Sequence, residues 1–250
     1  MLVRIKMIPE HPPSSWPQER YANIDGTELF VYRLGTGILK LLDASRIEPP
    51  QRDVVRHAII QLLMEGFIPA FSELGKIKGL VSPPEMDRRQ AYENFMGTLW
   101  QGYKNFLPKA TREMGFDTGF IFQSDSKFEA GIGRFVTTHP AVPKDFGRFL
   151  QQQRARWQGE LSHVRNNYVD HRNVEWDDVK KLYCIDQAER FFDSAWTAAE
   201  DILGCLICSR LPPQIGVREI PVAQRNPSFP DRFGFYIRQP MKGIEPVPKS

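Results

Sequence analysis

Cysteine is scarce in this chain of 250 residues, with only Cys184, Cys205 and Cys208 present. So sparse and odd a set argues against a disulfide framework. Cys205-Leu206-Ile207-Cys208 has the C-x-x-C spacing, but a zinc site needs two further ligands and there is no second pair. Both cysteines sit in the apolar run Ile202–Cys208 and read as small core residues on a helix. Long hydrophobic runs are missing as well. The start, Met1-Leu2-Val3-Arg4-Ile5-Lys6, is broken by Arg4 and Lys6 and offers no secretory signal. No uninterrupted apolar stretch approaches the roughly 20 residues that span a bilayer. The expected setting is the cytoplasm, with no membrane partner. A large charge excess is also lacking. The net charge of +3 does not by itself imply a nucleic-acid partner. There are no internal repeats, and H-E-x-x-H, nucleophile-elbow and Walker signatures are absent. Gly35-Thr36-Gly37 lacks the rest of a phosphate-binding fingerprint and reads as a turn. No cofactor and no metal are expected.

What is present is a hydrophobic fraction of 41%, enough for a core, arranged mostly with helical periodicity. The expected fold is mainly α, an antiparallel helical bundle with a small N-terminal β-hairpin and an extended Pro/Arg-rich C-terminal segment. Residues 1–50 form the first unit. Its first twenty residues are Pro-rich and extended. Glu28–Leu34 then reads as a strand, Gly35–Gly37 as a turn, and Ile38–Leu42 as a second strand or a helix start.

Residues 51–211 form the helical domain. Val54, Val55, Ala58, Ile59, Leu62 and Leu63 mark a helix that Gly66 should stop. Residues 66–83, with Pro69, Gly75, Gly79 and Pro83, read as a loop. Ser82-Pro83-Pro84-Glu85 is a helix start with a capping serine. The stripe Tyr92, Phe95, Met96, Leu99, Trp100, Tyr103 follows, and Pro108 should kink or end it. A short helix is expected around 126–135. Two long helices come next, at about 144–171 and 177–210, and Pro212-Pro213 ends the second. Residues 212–250 form a tail in which Arg218, Arg225, Arg232 and Arg238 recur. Its segment Arg232–Arg238 reads as a strand that could pair with the N-terminal hairpin.

Chemistry is suggested at one place. Arg165-Asn166-Asn167-Tyr168-Val169-Asp170-His171 closes the penultimate long helix with an arginine, a polar neighbour and a histidine after five intervening residues. Other Arg/His pairs have similar spacing: Arg52 with His57, Arg134 with His139, and Arg156 with His163. Only Arg165 combines a polar next residue with a place on the helix before the last. This segment resembles the active motif of the HEPN superfamily, helical proteins many of which are metal-independent endoribonucleases of toxin, defence and RNA-processing systems. The resemblance implies a homodimer acting on RNA, with Arg165 and His171 catalytic and Asn166 and Tyr168 in support. Arg172 and His163 would contact the nucleic acid.

The chemistry needs those residue types. RNA is cleaved by its own 2′-hydroxyl, leaving a 2′,3′-cyclic phosphate. A histidine supplies an acid or base that titrates near neutrality. An arginine holds a permanent, planar charge on the pentacoordinate phosphate. At about 100° per residue, His171 falls in line with Val164 and Tyr168, while Asn166 points nearly opposite. The arginine-rich tail could add backbone contacts. Glu160 and Asp170 could pair with Arg156, Arg165 or Arg172 along the helix. Two other readings use the same fold without catalysis: a helical module that binds a nucleotide or a partner protein, and an interaction protein that docks through its Pro-rich ends.

Overall fold

A computed structural model describes residues 28–80, 85–164, 166, 185–226 and 230–238. Among the described residues, six helices are followed by a two-stranded antiparallel sheet. The mainly α expectation therefore holds, with the hairpin near the C-terminus.

Helix α1 replaces the expected N-terminal hairpin. It runs through Leu29–Tyr32, a π turn at Arg33–Gly37 and Ile38–Asp43. Phe30, Leu34, Ile38, Leu41 and Leu42 are buried, at steps of three and four residues once the π turn is included. A hairpin would bury only alternate residues, whereas the helix lays this whole stripe against α2 and α6. Packing overrode the β preference of the local composition. Gly35 permits close approach rather than a turn, because a Cβ there would meet Leu63 at 3.2 Å.

Helix α2 comprises Pro49–Gln61, a π turn at Leu62–Phe67 and Ile68–Gly79. It does not stop at Gly66, and most of the loop expected over 66–83 is helix. Pro69 is tolerated because the π turn before it already breaks the i→i−4 ladder. Gly66 is the crossing point with α3, Glu85–Glu113. A Cβ on Gly102 of α3 would fall 2.6 Å from the Gly66 Cα. By length and composition α2 is the one helix among the described residues apolar enough to cross a membrane. Here Val55, Ile59, Leu62, Phe67, Leu74 and Ile77 are buried in the protein core.

Pro108 neither ends nor stops α3, which continues to Glu113. The terminator is Gly115, at φ +86°, a left-handed conformation that favours glycine. The Thr111 and Thr118 hydroxyls bond at 2.7 Å and close the following turn. The Ser82 cap lies outside the described residues. A 3₁₀ turn at Gly119–Phe122 leads to α4, Asp125–Thr138. Helix α5 comprises Phe146–Gln153, a π turn at Arg154–Gln158 and Gly159–Val164.

Helix α6, Ile185–Cys208, is the axis of the fold, with every residue from Ala195 to Ile207 buried. The expected start of this helix at 177 lies outside the described residues. Cys205 is buried and Cys208 half-buried. Burial pushes the Cys205 thiol well up and the Cys208 thiol up to about 12, as expected of packing residues.

Strands β1, Ile215–Glu219, and β2, Phe233–Ile237, pair from Ile215↔Ile237 to Glu219↔Phe233. The strand expected over 232–238 is present, but its partner is β1, because the N-terminal segment is helical. Tyr236 lies flat over Gly216, where any Cβ would collide with its ring.

Candidate functional site at the end of helix α5

The inward stripe of α5 is Phe146, Phe149, Leu150, Gln153, Trp157, Leu161 and Val164, all buried. Its π turn is fastened to the 3₁₀ turn and to the start of α4. The Arg154 guanidinium donates to the carbonyls of Ile121 (3.3 Å) and Gln123 (2.9 Å) and to Asp125 Oδ1 (2.8 Å). The same guanidinium stacks 4.6 Å from the Phe128 ring centre. Gln158 donates to the Ile121 carbonyl at 2.7 Å. Trp157 packs on Tyr103 and donates to Gln153, so it is a core residue.

These ties hold open a cleft of about 590 Å³ between α4 and the last turns of α5. Asp125, Phe128 and Glu129 line one wall; Arg154, Ser162, His163 and Asn166 line the other. Two residues singled out from the sequence, His163 and Asn166, thus share one cleft, and both are exposed. Val164 between them is buried, as the 100° rule requires. Arg165, Tyr168, His171 and Arg172 lie outside the described residues.

Two of the competing Arg/His pairs have a member engaged elsewhere. Arg52 donates to the Ser45 and Ile47 carbonyls and closes the loop before α2. His139 lies between Phe116 and Phe135, with ring centres at 4.9 and 4.7 Å. Burial and the charge of Arg210 lower its pKa. Among the described residues, Glu160 pairs with α6 and not along its own helix. It takes two hydrogen bonds from Arg190 of α6, at 2.8 and 2.7 Å, and one from Gln187 at 2.9 Å.

The tail arginines divide. Arg218 and Arg238 are exposed, but Arg225 and Arg232 are consumed by an ion network, buried at Glu200 and Asp201 and exposed at Glu219, that residue spacing did not reveal. Arg232 Nη1 donates to Glu200 Oε2 at 2.8 Å and its Nε to Glu219 Oε1 at 2.9 Å. Arg33, in the π turn of α1, reaches the same Glu200 oxygen at 3.3 Å, and Arg225 reaches Glu219 at 3.2 Å. Asp201 Oδ1 lies 2.6 Å from Arg232 Nη1, so this arginine bridges both acids of α6. Beside this network, Tyr32 and Lys40 both hold Asp231, at 2.8 and 3.1 Å. The signal was legible. Two adjacent acids, Glu200-Asp201, interrupt the apolar run of the central helix, and buried carboxylates need cations.

The two acids behave oppositely. Burial pushes Glu200 up, but Arg33 and Arg232 outweigh it and hold the carboxyl below its ordinary range. Asp201 is raised to about 7 by burial, with Glu200 and Glu219 adding to the rise against Arg232. Between about pH 4 and 7 the folded protein therefore keeps a proton on Asp201 that the unfolded chain has lost. Its contribution to stability is full below the unfolded value and is lost as pH rises through about 7. Urea unfolding of Asp201→Asn across this range should show a flatter pH dependence than the parent. Parallel pH profiles of the two proteins would contradict this.

Among the described residues, no group of three His, Cys, Asp or Glu side chains could hold a metal ion. Compared with protein-family models, curated proteins and solved structures, the chain matches none.

Proposed function

We propose that the protein is a HEPN-like, metal-independent endoribonuclease that works as a homodimer and leaves a 2′,3′-cyclic phosphate. One observation carries the proposal. His163, two residues before the motif, and Asn166, its second residue, line an open cleft at the anchored end of α5. In this mechanism the Arg165 guanidinium stabilises the charge that builds on the phosphate, and His171 moves the proton. Asn166 and Tyr168 support the site, while His163 and Arg172 contact the nucleic acid. Among the described tail residues, Arg218 and Arg238 are exposed arginines available to the RNA backbone, so binding should weaken as salt is raised.

The test is cleavage of RNA by the purified chain in EDTA. Products ending in a cyclic phosphate are expected, and His171→Ala or Arg165→Ala should lower the rate by about a hundredfold or more. If the parent leaves RNA intact, or His171→Ala cleaves as fast as the parent, the proposal fails. The non-catalytic binding module is then the better description.

A further inference from the structure

A second cleft, of about 580 Å³, lies where the ends of three helices meet. Arg46 comes from the loop after α1, Arg112 from the last turn of α3, and Arg210 from just beyond α6. The backbone fixes these positions. The Arg46 N–H donates to the Arg210 carbonyl at 2.8 Å, and the Gly115 N–H to the Arg112 carbonyl at 2.9 Å. The Arg210 guanidinium is itself held. It stacks 4.8 Å from the Phe116 ring centre and donates to the Met114 carbonyl at 3.4 Å. It lies over left-handed Gly115, where a Cβ would meet Arg210 Nη2 at 3.3 Å.

Among the described residues, no carboxylate pairs with Arg46, Arg112 or Arg210. By contrast, Arg56 pairs with Asp43, Arg154 with Asp125 and Arg190 with Glu160. Three planar guanidinium forks around one cleft match a phosphate, which can take paired N–H bonds from each. Glu48 and Glu113 line the same space. Carboxylates accept hydrogen bonds from hydroxyl groups. The volume falls in the range of small-molecule sites. We propose that this cleft binds a small phosphomonoester on a hydroxylated carrier, a sugar phosphate in chemical class. Arg46, Arg112 and Arg210 hold the phosphate, and Glu48 and Glu113 hold hydroxyls.

Each arginine also stands near a helix C-terminus, where a cation offsets the macrodipole. That role alone would need no ligand, and the experiment separates the two. The full chain is titrated calorimetrically with inorganic phosphate, glucose 6-phosphate and glucose at constant ionic strength. Saturable binding of phosphate is expected, tighter for glucose 6-phosphate and absent for glucose. Arg46→Gln and Arg112→Gln, both at exposed positions, should each weaken it about tenfold to a hundredfold. His139 gives an independent readout. It faces Phe116, Phe135 and Arg210, and the Arg210 charge contributes to its low pKa. A bound phosphate offsets that charge, so the ring NMR titration should move to higher pH with ligand. No saturable phosphate binding overturns the proposal. So do equal affinities in parent and variants, or variants that lose thermal stability without any change in phosphate response.

Discussion

Arg232→Met is expected to destabilise the protein by about 3–5 kcal/mol near pH 8, the cost of removing one partner from a buried ion network. The size follows from what the substitution leaves behind. Glu200 is 1% exposed and would retain Arg33, at 3.3 Å, as its ion-pair partner among the described residues. Asp201, 0% exposed, would lose its nearest cation. Glu219 would keep Arg225. Methionine fills similar volume, so the loss is electrostatic and not a cavity effect. It should shrink toward acid pH, where Asp201 and then Glu200 take up protons. Neutralising the stranded acids with Glu200→Gln and Asp201→Asn should restore part of the stability, because a buried pair is expensive chiefly when half of it remains. Urea unfolding at two pH values reads all of this. A loss below about 1 kcal/mol at pH 8, or one independent of pH, would show that the network does not hold the C-terminal segment to α6.

The second large effect is at the crossing of α2 and α3. Gly102→Ala places a methyl group 2.6 Å from the Gly66 Cα and 3.0 Å from its carbonyl carbon and oxygen. Those are backbone atoms of a packed helix, so relief requires the two helices to part. Overpacking of this kind costs about 1–3 kcal/mol, which outweighs the roughly 1 kcal/mol of helix propensity that alanine brings. Gly102→Val should cost more, since branching adds bulk at the same contact. Two controls sharpen the test. Gly97→Ala, on the same helix with nothing within 4 Å of the new Cβ, should stabilise by about 0.5–1 kcal/mol. Gly66→Ala meets its neighbours only at 3.4 Å and beyond, an ordinary contact, and should be milder than Gly102→Ala. If the thermal midpoints of Gly97→Ala and Gly102→Ala shift in the same direction, the close crossing is not the reason for glycine at 102.

Much of the architecture could be read from residue spacing. Stripes such as Tyr92, Phe95, Met96, Leu99, Trp100 and Tyr103 have one physical use in a protein of this composition. They require a helix with one buried face, and these residues are buried. The two central cysteines were legible as packing for the same reason. Local signals failed where packing competes with them. Gly66 and Pro69 look like breakers, yet the helix passes through both, because a π turn removes the proline's cost and the glycine serves a helix contact. Glu28–Leu42 looks like a hairpin, yet its apolar residues bury more surface as a helix against α2 and α6.

At the candidate site, spacing along one helix could select Arg165–His171 and put Asn166 opposite Val164. It could not reveal that His163 and Asn166 share a cleft with α4, since that depends on Arg154 and Gln158 gripping a distant turn. The sequence by itself determined the helical class, the inward stripes and the residue types able to do phosphate chemistry, because these follow from periodicity and side-chain chemistry along one segment. Only the tertiary structure decided that Arg232 is spent on the buried acids Glu200 and Asp201, and Arg225 on the exposed Glu219, while Arg46, Arg112 and Arg210 face a cleft. Whether a cation is neutralised depends on which carboxylates lie within a few ångströms, and for Arg232 the partners in α6 are about thirty residues away.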